Sequence, residues 1–137
     1  MATLLALLAL LAPAVGAASA MSARNERIYV ANSASDTVSV IDADTNAVIA
    51  TIAVGDRPTG VVLLGDRVYV TNSLSGTVSV IDIAGNTVVA TVPVGAGPAG
   101  LDPAAYYGEL WVANEGSDNV SVIDVRTNTV VDTVPVG

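Results

Sequence analysis

Tyr29-Val-Ala-Asn-Ser-Ala-Ser-Asp-Thr-Val-Ser-Val-Ile-Asp42 recurs as Tyr69-Val-Thr-Asn-Ser-Leu-Ser-Gly-Thr-Val-Ser-Val-Ile-Asp82, and again as Trp111-Val-Ala-Asn-Glu-Gly-Ser-Asp-Asn-Val-Ser-Val-Ile-Asp124. The first two copies agree at 11 of 14 positions and the first and third at 10 of 14, with starts 40 and 42 residues apart. Self-similarity at a period of about 40 residues marks a repeat architecture, in which each unit buries its apolar faces against its neighbours.

Working outward from the phrase, each repeat divides into short β-branched runs separated by turn residues. The first repeat reads as strands over 27–31, 37–41, 47–54 and 61–64, split by Asn32–Asp36, Asp42–Asn46, Gly55–Gly60 and Gly65-Asp66. Runs of this length between Gly, Asn, Asp and Ser clusters are the signature of an all-β chain. Asp36, Gly76 and Asp118 close the first turn of each repeat, and Asn46, Asn86 and Asn128 close the second. These residue types tolerate positive φ, so each column is expected to hold the left-handed position of a hairpin loop. Val48 to Ile52 and Val61 to Leu64 alternate weakly between apolar and polar. A sheet with one wet face would alternate cleanly, so both faces are expected to be covered. Four short antiparallel strands per repeat, stacked face to face, is the plan of a β-propeller blade.

Tyr-Val-Ala/Thr-Asn, Val-Ser-Val-Ile-Asp, and the loops Gly55-Asp-Arg-Pro-Thr-Gly60 and Gly95-Ala-Gly-Pro-Ala-Gly100 resemble the YVTN-family β-propeller repeat over residues 27–137. The resemblance implies an exported bacterial or archaeal protein, periplasmic or associated with the surface layer, acting as a scaffold or binding surface. It also implies a blade order with Pro58 to Leu64 innermost, then 67–72, 77–81 and 87–94. The blade units are then about 27–57, 58–97 and 98–137: three strands of a first blade followed by two complete blades, an incomplete ring. The family ring usually has about seven blades, and blades of about 41 residues would then need roughly 290 residues. The chain is therefore expected to be a fragment; the alternative is that several chains complete a ring together. Open sheet faces and strand edges make self-association a further expectation. In the third repeat the inner strand carries Pro103, which cannot donate to a ladder, so it is expected to be short or bulged. Tyr106 and Tyr107, in an insertion beside it, are expected to pack.

Composition narrows the partners. The net charge is −8, with five arginines and no lysine. Phosphate-backbone binding relies on clustered Lys and Arg, and no cluster is present, so nucleic acid is not expected. The chain has no cysteine and no histidine. Disulfides, thiol catalysis, a serine triad and histidine-based metal sites are thereby excluded within it. No cofactor is expected.

Residues 1–23 carry no charged side chain; a Leu/Ala run from Leu4 to Leu11 is followed by Pro13, Gly16 and Ala18-Ser19-Ala20. This reads as a signal peptide over 1–20, cleaved after Ala20, although the usual basic start is missing. The alternatives are a retained anchor, or a true start at Met21. After cleavage no membrane span is expected, and the remainder, 21–137, is the repeat region.

No catalytic set stands out. Asp42 recurs as Asp82 and Asp124 because it begins a turn, and its loop lacks the Gly and distal Glu of an EF-hand. Candidate binding residues lie on the loops: Asn32, Asn72 and Asn114 of the repeated Tyr-Val-x-Asn, and Arg57, Glu115 and Tyr107, which break the repeat. The function expected is that of a non-catalytic, exported module binding a protein or cell-envelope component. The alternative is part of a lactonase- or lyase-like propeller enzyme with a metal in its central channel, to which the inner strands here offer only Asp102.

Overall fold

The structure is a computed structural model that describes residues 26–137. The signal segment, 1–20, and the alternative start at Met21 lie outside the described residues. Eleven strands form three antiparallel sheets. The first sheet holds β1 (Arg27–Asn32), β2 (Thr37–Asp42) and β3 (Ala47–Ala53). The middle sheet runs β4 (Pro58–Leu64), β5 (Arg67–Asn72), β6 (Thr77–Asp82) and β7 (Thr87–Pro93). The last runs β8 (Pro98–Ala104), β9 (Glu109–Asn114), β10 (Asn119–Asp124) and β11 (Thr129–Pro135). Each sheet is a meander whose strands pair in sequence order, so every connection is a hairpin. This is the all-β arrangement of propeller blades.

The repeated phrase builds β1 and β2, β5 and β6, and β9 and β10, and its alternation feeds two cores. Tyr29, Val38, Val40 and Ile52 of the first sheet pack on Val68, Val70 and Ile81 of the middle one. From the opposite face of the middle sheet, Tyr69, Val78, Val80 and Val92 pack on Leu110, Val112 and Ile123. Successive residues of β5 therefore point into different cores, which is why its sequence does not alternate.

All six turn-closing residues have positive φ, from 52° at Asp118 to 65° at Gly76. Asp42 Oδ1 accepts from the amides of Asp44 and Thr45, Asp82 Oδ2 from Gly85, and Asp124 Oδ1 from Arg126. The aspartate column is thus turn structure.

Two expectations are corrected. β8 is not short, since it has seven residues as β4 has; it does carry a register shift, but between Pro98 and Gly100 and not at Pro103, and β4 shifts likewise between Pro58 and Val61. Pro103 pairs with Leu110 from an edge strand, the part of a sheet where proline is tolerated. Tyr106 and Tyr107 do not pack into the body. They occupy a 3₁₀ turn, Ala105–Tyr107, and are 92% and 71% exposed, with their rings edge to face at 5.1 Å.

Candidate functional site

The strand directions sort the loops onto two ends. One end carries 33–36, 73–76 and 115–118, which link β1 to β2, β5 to β6 and β9 to β10, together with the sheet-to-sheet loops 54–57 and 94–97. Backbone bonds stitch these loops across each junction. The amides of Ser73 and Leu74 donate to the carbonyls of Arg57 and Asp56 at 3.0 and 3.2 Å; those of Glu115 and Gly116 donate to Gly97 and Ala96 at 3.0 and 2.9 Å. Hydroxyls complete the pattern, since Ser75 Oγ accepts from the Asp56 amide at 2.7 Å and Ser117 Oγ from Ala96 at 2.6 Å. The loop end is therefore a braced surface, the kind of platform on which binding residues are held.

Arg57 and Glu115 are exposed at this end. The Arg57 amide donates to Asp36 Oδ1 at 2.8 Å while its backbone sits at φ 55°. The matching position in the next junction is Gly97, at φ 62°. Beside it lies Leu74, 71% exposed and tied to Asp56 through its amide. Leu74 was legible in principle: its column reads Ala34, Leu74, Gly116, so it too departs from the repeat. Asp36, Asp56, Glu115 and Asp118 surround this end with exposed carboxylates.

The asparagine column is placed differently. Asn72 Nδ2 donates to Thr77 Oγ1 and Ser79 Oγ at 3.0 and 2.9 Å. Asn32 makes the same pair with Thr37 and Ser39, and Asn114 with Asn119 Oδ1 and Ser121 Oγ. Each carboxamide thus clamps its own strand to the one that follows it. Asn72 and Asn114 are buried, and a Cβ on Gly55 or Gly95 would lie 2.7 Å from their Cγ atoms, so a glycine backbone covers each. Asn72 and Asn114 therefore present nothing to solvent, while Asn32, in the same clamp, is half buried.

Tyr107 stands at the opposite end, on the β8–β9 connection, and so does not join Arg57 and Glu115 in one surface. A cleft of about 370 Å³ opens at that end between the middle and last sheets, lined by residues that include Asp66, Arg67, Tyr69, Gly108 and Arg126. Arg126 bonds Asp124 at 2.8 Å, whereas Arg67 Nε lies 3.8 and 3.7 Å from Asp66 and Asp82, in ion-pair range but without a hydrogen bond. The Arg126 guanidinium holds the Asp124 carboxyl down at about 2, and burial pushes the Tyr69 phenol up. Among the described residues no group of three or more Asp, Glu, His or Cys is placed to hold a metal ion, and Asp102 on β8 is exposed.

No family model matches the sequence, and no curated protein matches it. Solved structures do. The chain is similar to Kuenenia stuttgartiensis hydrazine synthase, with 28% identity and a TM-score of 0.74, covering 77% of this chain and 31% of that one. It is similar in fold to the dihydro-heme d1 dehydrogenase NirN, with 24% identity, a TM-score of 0.71, and coverage of 80% and 24%. The same holds for AztD from Citrobacter koseri, with 14% identity, a TM-score of 0.65, and coverage of 80% and 34%. These are β-propeller proteins, and the three sheets belong to that class of fold. The chain spans between a quarter and a third of the length of the solved chains it matches. No helix among the described residues is long and apolar enough to cross a membrane.

Proposed function

We propose that the chain is an exported, YVTN-type β-propeller segment whose braced loop end binds a protein or cell-envelope component without catalysis. The observation that carries this function is Arg57. A non-glycine residue held in the left-handed region is strained, and such strain is retained where the side chain has a use. The sibling junction shows that glycine fits the same turn. Arg57 keeps an exposed guanidinium at that point, next to the exposed Leu74, on a rim of carboxylates; a cation beside an apolar side chain is a suitable anchor for a protein partner. Nucleic acid remains excluded from this proposal by the acidic rim.

Replacing Arg57 by Gly separates fold from function. Arg57→Gly removes the strain and is expected to stabilise the chain by about 1 kcal/mol in urea unfolding. The same variant is expected to lose the envelope component that the wild-type chain retains on an affinity column. Retention unchanged in both Arg57→Gly and Leu74→Asp would remove the loop end from the binding surface.

A second function is favoured by the likeness to hydrazine synthase: part of a propeller enzyme whose chemistry lies on blades beyond these three. Asp102 is the one acidic residue on β4 or β8. A stoichiometric divalent ion in the purified protein, found by elemental analysis and lost in Asp102→Asn, would favour it over the scaffold.

A further inference from the structure

At the end of the sheets opposite the braced loops, equivalent arginines behave differently at the two junctions. Arg27 latches the first sheet to the middle one: its Nη1 donates to the Ile83 carbonyl at 2.7 Å and reaches Asn86 Oδ1 at 3.5 Å. Arg67 stands in the same column one repeat later, where Val125 and Asn128 are the counterparts of Ile83 and Asn86. Arg67 makes no such latch. Its Nε is buried without a hydrogen bond, and so is Asn128 Oδ1. Buried polar groups are nearly always paired, so a donor and an acceptor both left unpaired at one junction call for a cause. The third repeat supplies it. The column of Glu26 and Asp66 has Gly108, and the column of Asp44 and Ala84 has Arg126. One change removes a carboxylate and the other adds a guanidinium. Like charges repel, so Arg126 opposes closure of Arg67 onto the turn at 125–128. The cleft of about 370 Å³ described above lies here, with Arg67 entering its lining from the middle sheet and Arg126 from the last. Leu64, Tyr69 and Val125 give it an apolar wall, and Gly108, at φ 72°, has open space around it. All of these residues belong to the two four-stranded sheets and their hairpin turns.

We propose that this cleft binds a small organic carboxylate, with the anionic group between Arg67 and Arg126 and the apolar body against Leu64, Tyr69 and Val125. A guanidinium presents paired N–H donors that match the two oxygens of a carboxylate. Arg126 turns Nε and Nη2 to Asp124, which leaves Nη1 for a ligand. The Asp66 side chain is 86% exposed and 3.8 Å from Arg67 Nε, so its hold on that guanidinium is weak. The volume lies at the small end of the range of roughly 300–1,000 Å³ typical of small-molecule sites. Asp66, Asp82 and Asp124 stand beside the two arginines, so the cleft has no net positive charge and selectivity rests on the planar fork. The same aspartates repel a dianion more strongly than a monoanion, which favours a carboxylate over a phosphate.

Benzoate is the probe, with benzyl alcohol as its uncharged counterpart and inorganic phosphate as the more highly charged anion. The amide resonances of Gly65 and Val125, on the turns of the two sheets, are followed as each is added to the chain. Benzoate is expected to shift both amides to saturation, and the other two compounds to leave them in place. Arg67→Lys keeps the charge and loses the fork; Arg126→Ala removes the second guanidinium. Gly108→Asp restores the acid that this column has in the other repeats, and aspartate already adopts positive φ at Asp36 and Asp118. Each variant is expected to weaken benzoate roughly tenfold or more, the loss of one hydrogen bond to a charged group. Urea midpoints identify the variants that remain folded. Three results would overturn the proposal: no saturable response to benzoate, a response to benzyl alcohol or phosphate as strong as that to benzoate, or an unchanged benzoate affinity in any folded variant.

Discussion

The middle sheet and the two outer sheets carry nearly the same strands and differ in what lies against them. Val70 and Tyr69 are sealed because a sheet covers each face of β5; Val30 and Trp111, in the same columns, have a neighbour on one side only. Burial in this chain is thus a property of stacking, and stability concentrates at the two internal junctions. The difference is broken most forcefully by emptying the same column in two places. Tyr69→Ala leaves a cavity in the second core and is expected to cost about 3–5 kcal/mol, whereas Trp111→Ala, half in water already, is expected to cost about 1 kcal/mol. Urea midpoints at constant m-value, measured at low protein concentration so that association does not contribute, check both. Equal losses would mean that the last sheet's outer face is covered.

A second comparison sets the inner strands against the far-end turns. A Cβ on Gly60 would lie 2.4 Å from the Ala99 carbonyl oxygen and 2.8 Å from Thr71 Oγ1, which itself bonds Ala99 O at 3.1 Å. The innermost strands converge there, and backbone cannot yield. Gly65 has a left-handed φ of 66° but open space around it. Gly60→Ala is therefore expected to cost about 2 kcal/mol through overpacking at the junction. Gly65→Ala is expected to cost about 1 kcal/mol from its backbone conformation alone. Thermal unfolding of the pair measures the difference, and a larger loss at Gly65 would show that the junction relaxes.

The contrast between local and stacked features also explains what could be read without a structure. Strand limits and the positive φ of the six turn-closing residues are legible because each depends on a few adjacent residues whose chemistry allows one turn. The asparagine clamp was half legible. Its spacing is in the phrase, with Thr or Asn five residues on and Ser seven residues on, but its meaning needs the register that sets Asn72 beside Thr77. Tyr106 and Tyr107 misled because packing needs a surface opposite, and the insertion carries them off the end of the sheet. At the loop end Arg57 and Glu115 stand out as breaks in the repeat, whereas Leu74, an equal break, looks like an ordinary apolar residue. Tyr107 breaks the repeat as well, but departure from a repeat says nothing about which end of a blade a loop occupies.

The smallest effect concerns the one turn of the aspartate column that contains an arginine. At the positions of Asp44 and Ala84 the third repeat has Arg126, whose Nε and Nη2 reach Asp124 Oδ1 and Oδ2 at 3.1 and 2.8 Å. The side-chain bond is the main cause that lowers the Asp124 carboxyl from 3.8 to about 2, with the Arg126 backbone amide next. Because the folded value is the lower one, the pair's contribution to stability is present above the ordinary carboxylate range and is lost as pH falls toward 2. The Arg126 side chain is 78% exposed, against 16% for Asp124, so salt reaches the pair from the guanidinium side and the effect on the unfolding midpoint near neutral pH is expected to be slight. Arg126→Ala removes the guanidinium but leaves the backbone donor. The Asp124 titration, followed by its carboxyl carbon resonance, is therefore expected to move up toward 3.8 without reaching it. A titration that does not move would assign the shift to the turn's backbone, and the third repeat would then match its siblings in this respect as well.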